Sequence, residues 1–87
     1  MQNIHELIKR RNELESRGTH PGFIAEDRGS YRLFWKVNGK QKSMTIPKAE
    51  LEQWKSKTQR YRQVKHIDAV VKRIEREVQQ LLAEVAA

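Results

Sequence analysis

Ser30-Tyr31-Arg32-Leu33-Phe34-Trp35-Lys36-Val37-Asn38-Gly39-Lys40-Gln41-Lys42-Ser43-Met44-Thr45-Ile46-Pro47 is the stretch that decides the fold. Two runs that alternate in polarity flank Asn38-Gly39. A type I′ turn needs two residues that tolerate positive φ, and Asn-Gly supplies them, so the stretch predicts a β-hairpin. A two-residue turn also sets the register. Val37 faces Lys40, Trp35 faces Lys42, Leu33 faces Met44 and Tyr31 faces Ile46, all on one face. Arg32, Phe34 and Lys36, with Gln41, Ser43 and Thr45, occupy the other. The first face suits packing on a helix, with the lysine stems covering its open end. The second is polar and basic and carries one aromatic, Phe34. That face is either an open binding surface or, through Phe34, a seat for the N-terminal helix.

Upstream, Phe23-Ile24-Ala25-Glu26 reads as a short strand and Asp27-Arg28-Gly29-Ser30 as a turn, which completes a three-stranded antiparallel meander over residues 23–46. Residues 3–17 read as a helix. Asn3 suits the N-cap, Glu6 stands three residues on, and Gly18 suits the C′ position. Ile4, Leu7, Ile8 and Leu14 share its apolar face, which Arg11 interrupts. Thr19-His20-Pro21-Gly22 connects helix to strand, with His20 a turn residue.

Downstream, Pro47 suits a first helical turn, with Glu50 and Glu52 near the positive end of the helix dipole. No glycine or proline follows, so residues 47–86 predict one helix about 60 Å long. An apolar seam runs Leu51, Trp54, Thr58, Tyr61, Val64, Ile67, Val71, Ile74, Val78, Leu81 and Val85. Its spacing alternates between three and four from Ile67 onward, as in a coiled coil. From Thr58 to Ile67 three consecutive steps of three break the phase, which predicts a bend or local overwinding. The helix therefore changes partner partway along. Leu51 and Trp54 dock on the hairpin. The stretch 64–85 needs another partner, either the N-terminal helix or the same helix of a second copy, and because the N-terminal helix is too short to cover it and also cap the sheet, the reading is a dimer or partner seam, with a homodimer first, through Val64, Ile67, Val71, Ile74, Val78, Leu81 and Val85. The fold class is α+β in a single domain over 1–87: an N-terminal helix, a β-meander and a long C-terminal helix with a coiled-coil-like seam.

Composition bounds the rest. The mean hydropathy is −0.90, and 37% of the 87 residues are hydrophobic, so the core is thin. The absence of cysteine excludes disulfides and thiolate chemistry. No apolar run approaches the ~20 residues that span a bilayer, and Met1-Gln2-Asn3-Ile4-His5-Glu6 lacks a signal-peptide pattern. The expectation is a cytoplasmic protein without a membrane partner. His5, His20 and His66 lie in separate segments, without metal-ligand spacing. The acids are turn, helix-start or surface residues, and no phosphate loop or nucleophile–base pair exists. The expectation is no enzyme, no cofactor and no metal.

The net charge of +7 is concentrated. Residues 28–65 hold eleven Lys/Arg against two acids, and the remainder holds seven against nine. The alternative of a merely solvated face accounts poorly for this, since solubilising surfaces mix both signs. Localised positive charge is the footprint of a polyanion. The reading is a small nucleic-acid-binding protein, with DNA expected before RNA. Arg32, Phe34, Lys36, Gln41 and Ser43 meet the groove or backbone, and Lys40, Lys42, Lys55, Lys57, Arg60 and Arg62 hold phosphates. His66 is read as solvated or phosphate-facing. The alternative is an adaptor or inhibitor acting on a nucleic-acid enzyme, such as a CRISPR-type nuclease complex or a recombinase.

Residues 28–54, with their aromatic strand, Asn-Gly-Lys turn, Thr-containing strand and helix reaching Trp54, resemble the arm-type DNA-binding domain of tyrosine recombinases. That resemblance implies a three-stranded sheet on one helix, with the sheet entering a DNA groove. Residues 22–87 also resemble an uncharacterised family of short prokaryotic mobile-element proteins, which implies a mobile-element or phage setting. That family carries a cysteine-rich run before its first strand. Gly18-Thr19-His20-Pro21-Gly22 stands there in this chain, so metal binding does not carry over.

Overall fold

The computed structural model describes residues 3–86, so the expectations that include Met1, Gln2 and Ala87 lie outside the described residues at those positions. The elements are helix α1 (Ile4–Ser16), strands β1 (Phe23–Asp27), β2 (Ser30–Val37) and β3 (Lys40–Ile46), a 3-10 turn (Lys48–Glu50) and helix α2 (Leu51–Ala86). The fold is α+β, as the sequence implies.

Asn3 caps α1, its side-chain oxygen accepting from the His5 backbone N–H at 2.9 Å. Gly18, at φ +95°, ends the helix by donating to the Glu15 carbonyl at 3.0 Å. The sheet order is β1-β2-β3, antiparallel throughout. Its second hairpin has the register that the Asn38-Gly39 turn demands, with Tyr31 opposite Ile46, Leu33 opposite Met44 and Trp35 opposite Lys42. The first hairpin is equally tight. Arg28 and Gly29 take φ +53° and +81°, beside +51° and +79° for Asn38 and Gly39. Arg28 thus holds a conformation that Asn or Gly adopts at lower cost.

The start of the long helix differs from expectation. Pro47 lies in extended backbone, at φ −60° and ψ 140°, and its carbonyl accepts from the Glu50 N–H at 2.9 Å. The α-helix begins only at Leu51. Proline holds Ile46 in the β region, so the chain leaves the strand through an i→i+3 turn before it can wind.

α2 then serves two partners. The inner face of the sheet, Tyr31, Leu33, Trp35, Met44 and Ile46, lies over its first turns, with Leu33 and Ile46 buried. Thr58 is buried there too. Its hydroxyl lies 3.1 Å from the Trp54 carbonyl and 3.0 Å from that of Lys55, so the polar group is satisfied within its own helix. Further along, α1 packs antiparallel on α2. Leu14 shares a core with Val64 and Ile67, Leu7 and Val71 pack at its edge, and Ile4 shares a 340 Å3 hollow with Ile74 and Val78. Arg11, which interrupts the apolar stripe of α1, bonds Asp68 of α2 and Glu15 of its own helix. The bond to Asp68 outweighs the opposing effect of burial and raises the Arg11 guanidinium above its ordinary pKa.

Two expectations are corrected here. Ile8 is 40% exposed, because the face of α1 turned to α2 runs through the half-buried Ile4, Leu7 and Arg11 to the buried Leu14 and leaves Ile8 at its flank. And the seam from Val64 to Val71 finds its partner within the chain: α1 is not needed to cap the sheet, so its whole length of about 20 Å covers α2. Only the tip stays uncovered, with Val78, Leu81, Leu82 and Val85 exposed.

The phase break marks this change of partner. Thr58 and Ile67 are nine residues apart, and at ~100° per residue they point to opposite sides of the helix. Both are buried, at 2% and 7% exposure. The break therefore turns the apolar face from the sheet to α1 within an unbroken helix.

Leu33, fully buried under the sheet, is the side chain on which the sheet–helix core depends most. Leu33→Ala is expected to lower unfolding stability by about 2–4 kcal/mol in a urea titration.

Candidate nucleic-acid interface

A belt of chain, Arg17 to Gly22, joins α1 to the sheet and wraps one side of α2. Arg60 donates from Nε to the Gly18 carbonyl at 2.8 Å and from its terminal nitrogen to that of Arg17 at 3.1 Å. Three residues earlier, the Lys57 carbonyl accepts from the His20 N–H at 3.3 Å. Three earlier again, the Trp54 ring meets His20 edge-on at 5.3 Å, while Trp35 of β2 meets it at 5.0 Å. Each step of three turns the helix face by ~60°, so the belt climbs around α2 from the α1 side to the sheet side. His20, whose Nδ1 donates to the Pro21 carbonyl at 2.6 Å, is a packing residue between two tryptophans rather than a turn residue alone. Gly22 closes the belt at φ +114°, where any Cβ would overlap the Phe34 carbonyl.

This belt separates the sequence-predicted cations. Arg60 is engaged with backbone carbonyls. The Lys57 ammonium lies 4.5 Å over the Trp54 ring. Lys40 and Lys42 lie on the inner face of the hairpin, opposite Val37 and Trp35. Lys55 and Arg62 lie away from the belt, on the open side of α2.

Arg32, Phe34, Lys36, Gln41 and Ser43 do come together on the outer face of the sheet. The Arg32 guanidinium donates to the Ser43 hydroxyl at 3.0 Å, across the diagonal that cross-strand neighbours allow. Phe34 stacks on Phe23, its direct cross-strand partner, at 5.4 Å and 23° between planes. Phe23 is 57% exposed. α1 lies on α2 and not on this face, so Phe34 is not seated under the N-terminal helix. Among the described residues neither Arg32 nor Lys36 makes an ion pair. One acid, Asp27, shares the face at its turn end.

Sequence reasoning missed a groove on the open side of α2. Lys55, Gln59, Arg62 and His66 recur at steps of four, three and four along one helix face. They are walled by Phe23, Ile24, Glu26 and Tyr31 at the sheet end and by Leu7 and Arg10 of α1 at the other. The helical spacing of these polar residues was visible in the sequence. That the connector would leave this side bare was not.

Among the described residues no His, Asp or Glu cluster could hold a metal ion, and no helix is long and apolar enough to cross a membrane. Comparison with protein-family models, characterised proteins and solved structures gives no match.

The two arginines are therefore expected to differ. Arg60→Ala removes a charged donor from two backbone carbonyls and is expected to cost about 1.5–3 kcal/mol. Arg62→Ala, at an exposed position on the groove, is expected to change stability by less than about 0.5 kcal/mol. Thermal melts of the two variants make the comparison.

Proposed function

We propose that this protein binds nucleic acid through the outer face of its sheet. The observation that carries the reading is the grouping of Arg32, Phe34, Lys36, Gln41 and Ser43 on one open face, where Phe34 stacks on the exposed Phe23. Cations neutralise phosphates and supply most of the affinity, while amide, hydroxyl and aromatic groups meet sugars and bases. The likeness to the recombinase arm domain favours DNA, and the likeness to mobile-element proteins supplies a setting.

The belt sets how many phosphates are neutralised. With Lys57 and Arg60 held by the fold, and Lys40 and Lys42 on the inner face of the hairpin, Arg32, Lys36, Lys55 and Arg62 remain on the outer face and the groove. Four neutralised phosphates give a slope of log K against log salt of about −3.6 on duplex DNA and about −2.8 on a single strand. A titration of labelled DNA over a range of salt reads the slope, and the double variant Arg32→Gln/Lys36→Gln is expected to make it shallower by about 2. A flat salt response overturns the reading and favours a protein-directed adaptor.

The reading includes a homodimer through the tip of α2. Val78, Leu81, Leu82 and Val85 are exposed on one side of it. Lys72, Arg73 and Arg76 outnumber Glu75 and Glu77 at the base of this tip, whereas Glu84 is the charge beyond them. Antiparallel pairing sets the basic half of each copy against the acidic half of the other. Sedimentation at micromolar concentration is expected to show a dimer that Leu81→Glu converts to a 10.3 kDa monomer. A wild-type monomer at that concentration excludes it.

A further inference from the structure

We propose that the ligand is a single nucleic-acid strand, which follows one path from the outer face of the sheet, around β1, into the groove on α2. The proposal rests on the nucleic-acid reading above and narrows it.

Three adjoining hollows make the path. The first, of 350 Å3, lies beside Phe34 and has Phe23 in its wall. The second, of 580 Å3, runs from Phe23 to Lys55, Gln59 and Arg62. The third, of 450 Å3, runs from Gln59 and Arg62 to Arg10 of α1. Phe23 is shared by the first and second, and Gln59 and Arg62 by the second and third. The outer face of the sheet and the helix groove are thus joined around the β1 edge. The belt occupies another side of α2. Of the groove cations, Lys55 lies 3.8 Å from Glu52 of its own helix, and among the described residues Arg62 and Arg10 make no ion pair.

The chemistry along the path matches a single strand. It begins with a stacked aromatic pair, exposed at Phe23, on which bases can stack whatever their identity. It continues past an amide and three cations that can follow a phosphodiester backbone. Glu26 also lines the second hollow, and Lys55 and Arg62 outnumber it there. A duplex does not fit this course. Its persistence length is about 50 nm, far above the 61 Å length of the protein, so it cannot turn around a strand edge. An acidic peptide would satisfy the cations but would leave the phenylalanine pair without a role.

Fluorescence anisotropy at low salt tests the path. The probes are an oligothymidine of about 15 nucleotides, within the ~4–16 that single-strand folds occupy, a duplex of equal length and a poly-glutamate of equal length. The oligothymidine is expected to bind at least tenfold tighter than either of the others. Lys55→Gln/Arg62→Gln and Phe23→Ala/Phe34→Ala are each expected to weaken it by about tenfold, as loss of two phosphate contacts or of base stacking does. If the phenylalanine variant melts early, Arg62→Gln against Arg62→Lys carries the comparison, with lysine restoring binding. Duplex preference, or wild-type affinity in the groove variant while Arg32→Gln/Lys36→Gln loses binding, overturns the single-strand path and leaves the nucleic-acid reading standing. Tighter binding of poly-glutamate overturns the path in favour of an acidic peptide. Failure of the wild type to bind either nucleic acid overturns both.

Discussion

Nearly everything in this structure depends on one helix burying residues on opposite sides. Thr58 and Ile67 of α2 point about half a turn apart, and each is closed over by a different part of the chain. A thin core is the consequence. The sheet and α1 never meet across a common interior, and each draws its buried surface from the spine between them. The belt of residues 17–22 is then required to hold the two layers in relation. It does so with directional contacts: the Arg60 guanidinium on the Arg17 and Gly18 carbonyls just past α1, and His20 edge-on between Trp35 and Trp54.

The same arrangement determines what is left for function. A connector that wraps one side of α2 leaves the other side open. The open side carries Lys55, Gln59, Arg62 and His66, and it adjoins the exposed edge of the sheet at Phe23. Some of the basic residues between 28 and 65 are committed to architecture, Arg60 to carbonyls and Lys57 to an indole face. Lys55 lies 3.8 Å from Glu52 and Lys65 lies over the Tyr61 ring, whereas among the described residues Arg32, Lys36 and Arg62 make no ion pair. Charge count alone overstates the electrostatic surface, and hydrogen-bond geometry divides it.

Much of this was legible residue by residue. The Asn38-Gly39 turn determined the register of the hairpin, because a two-residue loop with two positive φ values allows only one pairing. The alternation of Leu33 and Trp35 with Arg32 and Phe34 then sorted the faces without reference to anything distant. The cap at Asn3, the stop at Gly18 and the unbroken helix after Pro47 are likewise local chemistry. The break in seam phase between Thr58 and Ile67 was legible as a change of partner.

The sequence by itself thus determined the elements, their order, the hairpin register and the region where positive charge collects, since each follows from torsional preference or from period along a few residues. Tertiary structure alone decided which layer α1 covers, that the seam from Val64 to Val71 is closed within the chain, and that His20 lies between two tryptophans that are 19 residues apart. It also decided which cations of the stretch from Arg28 to Lys65 remain free. These depend on the path of a six-residue connector around a helix. That path is set by contacts over tens of residues of separation, of which a local pattern holds no record.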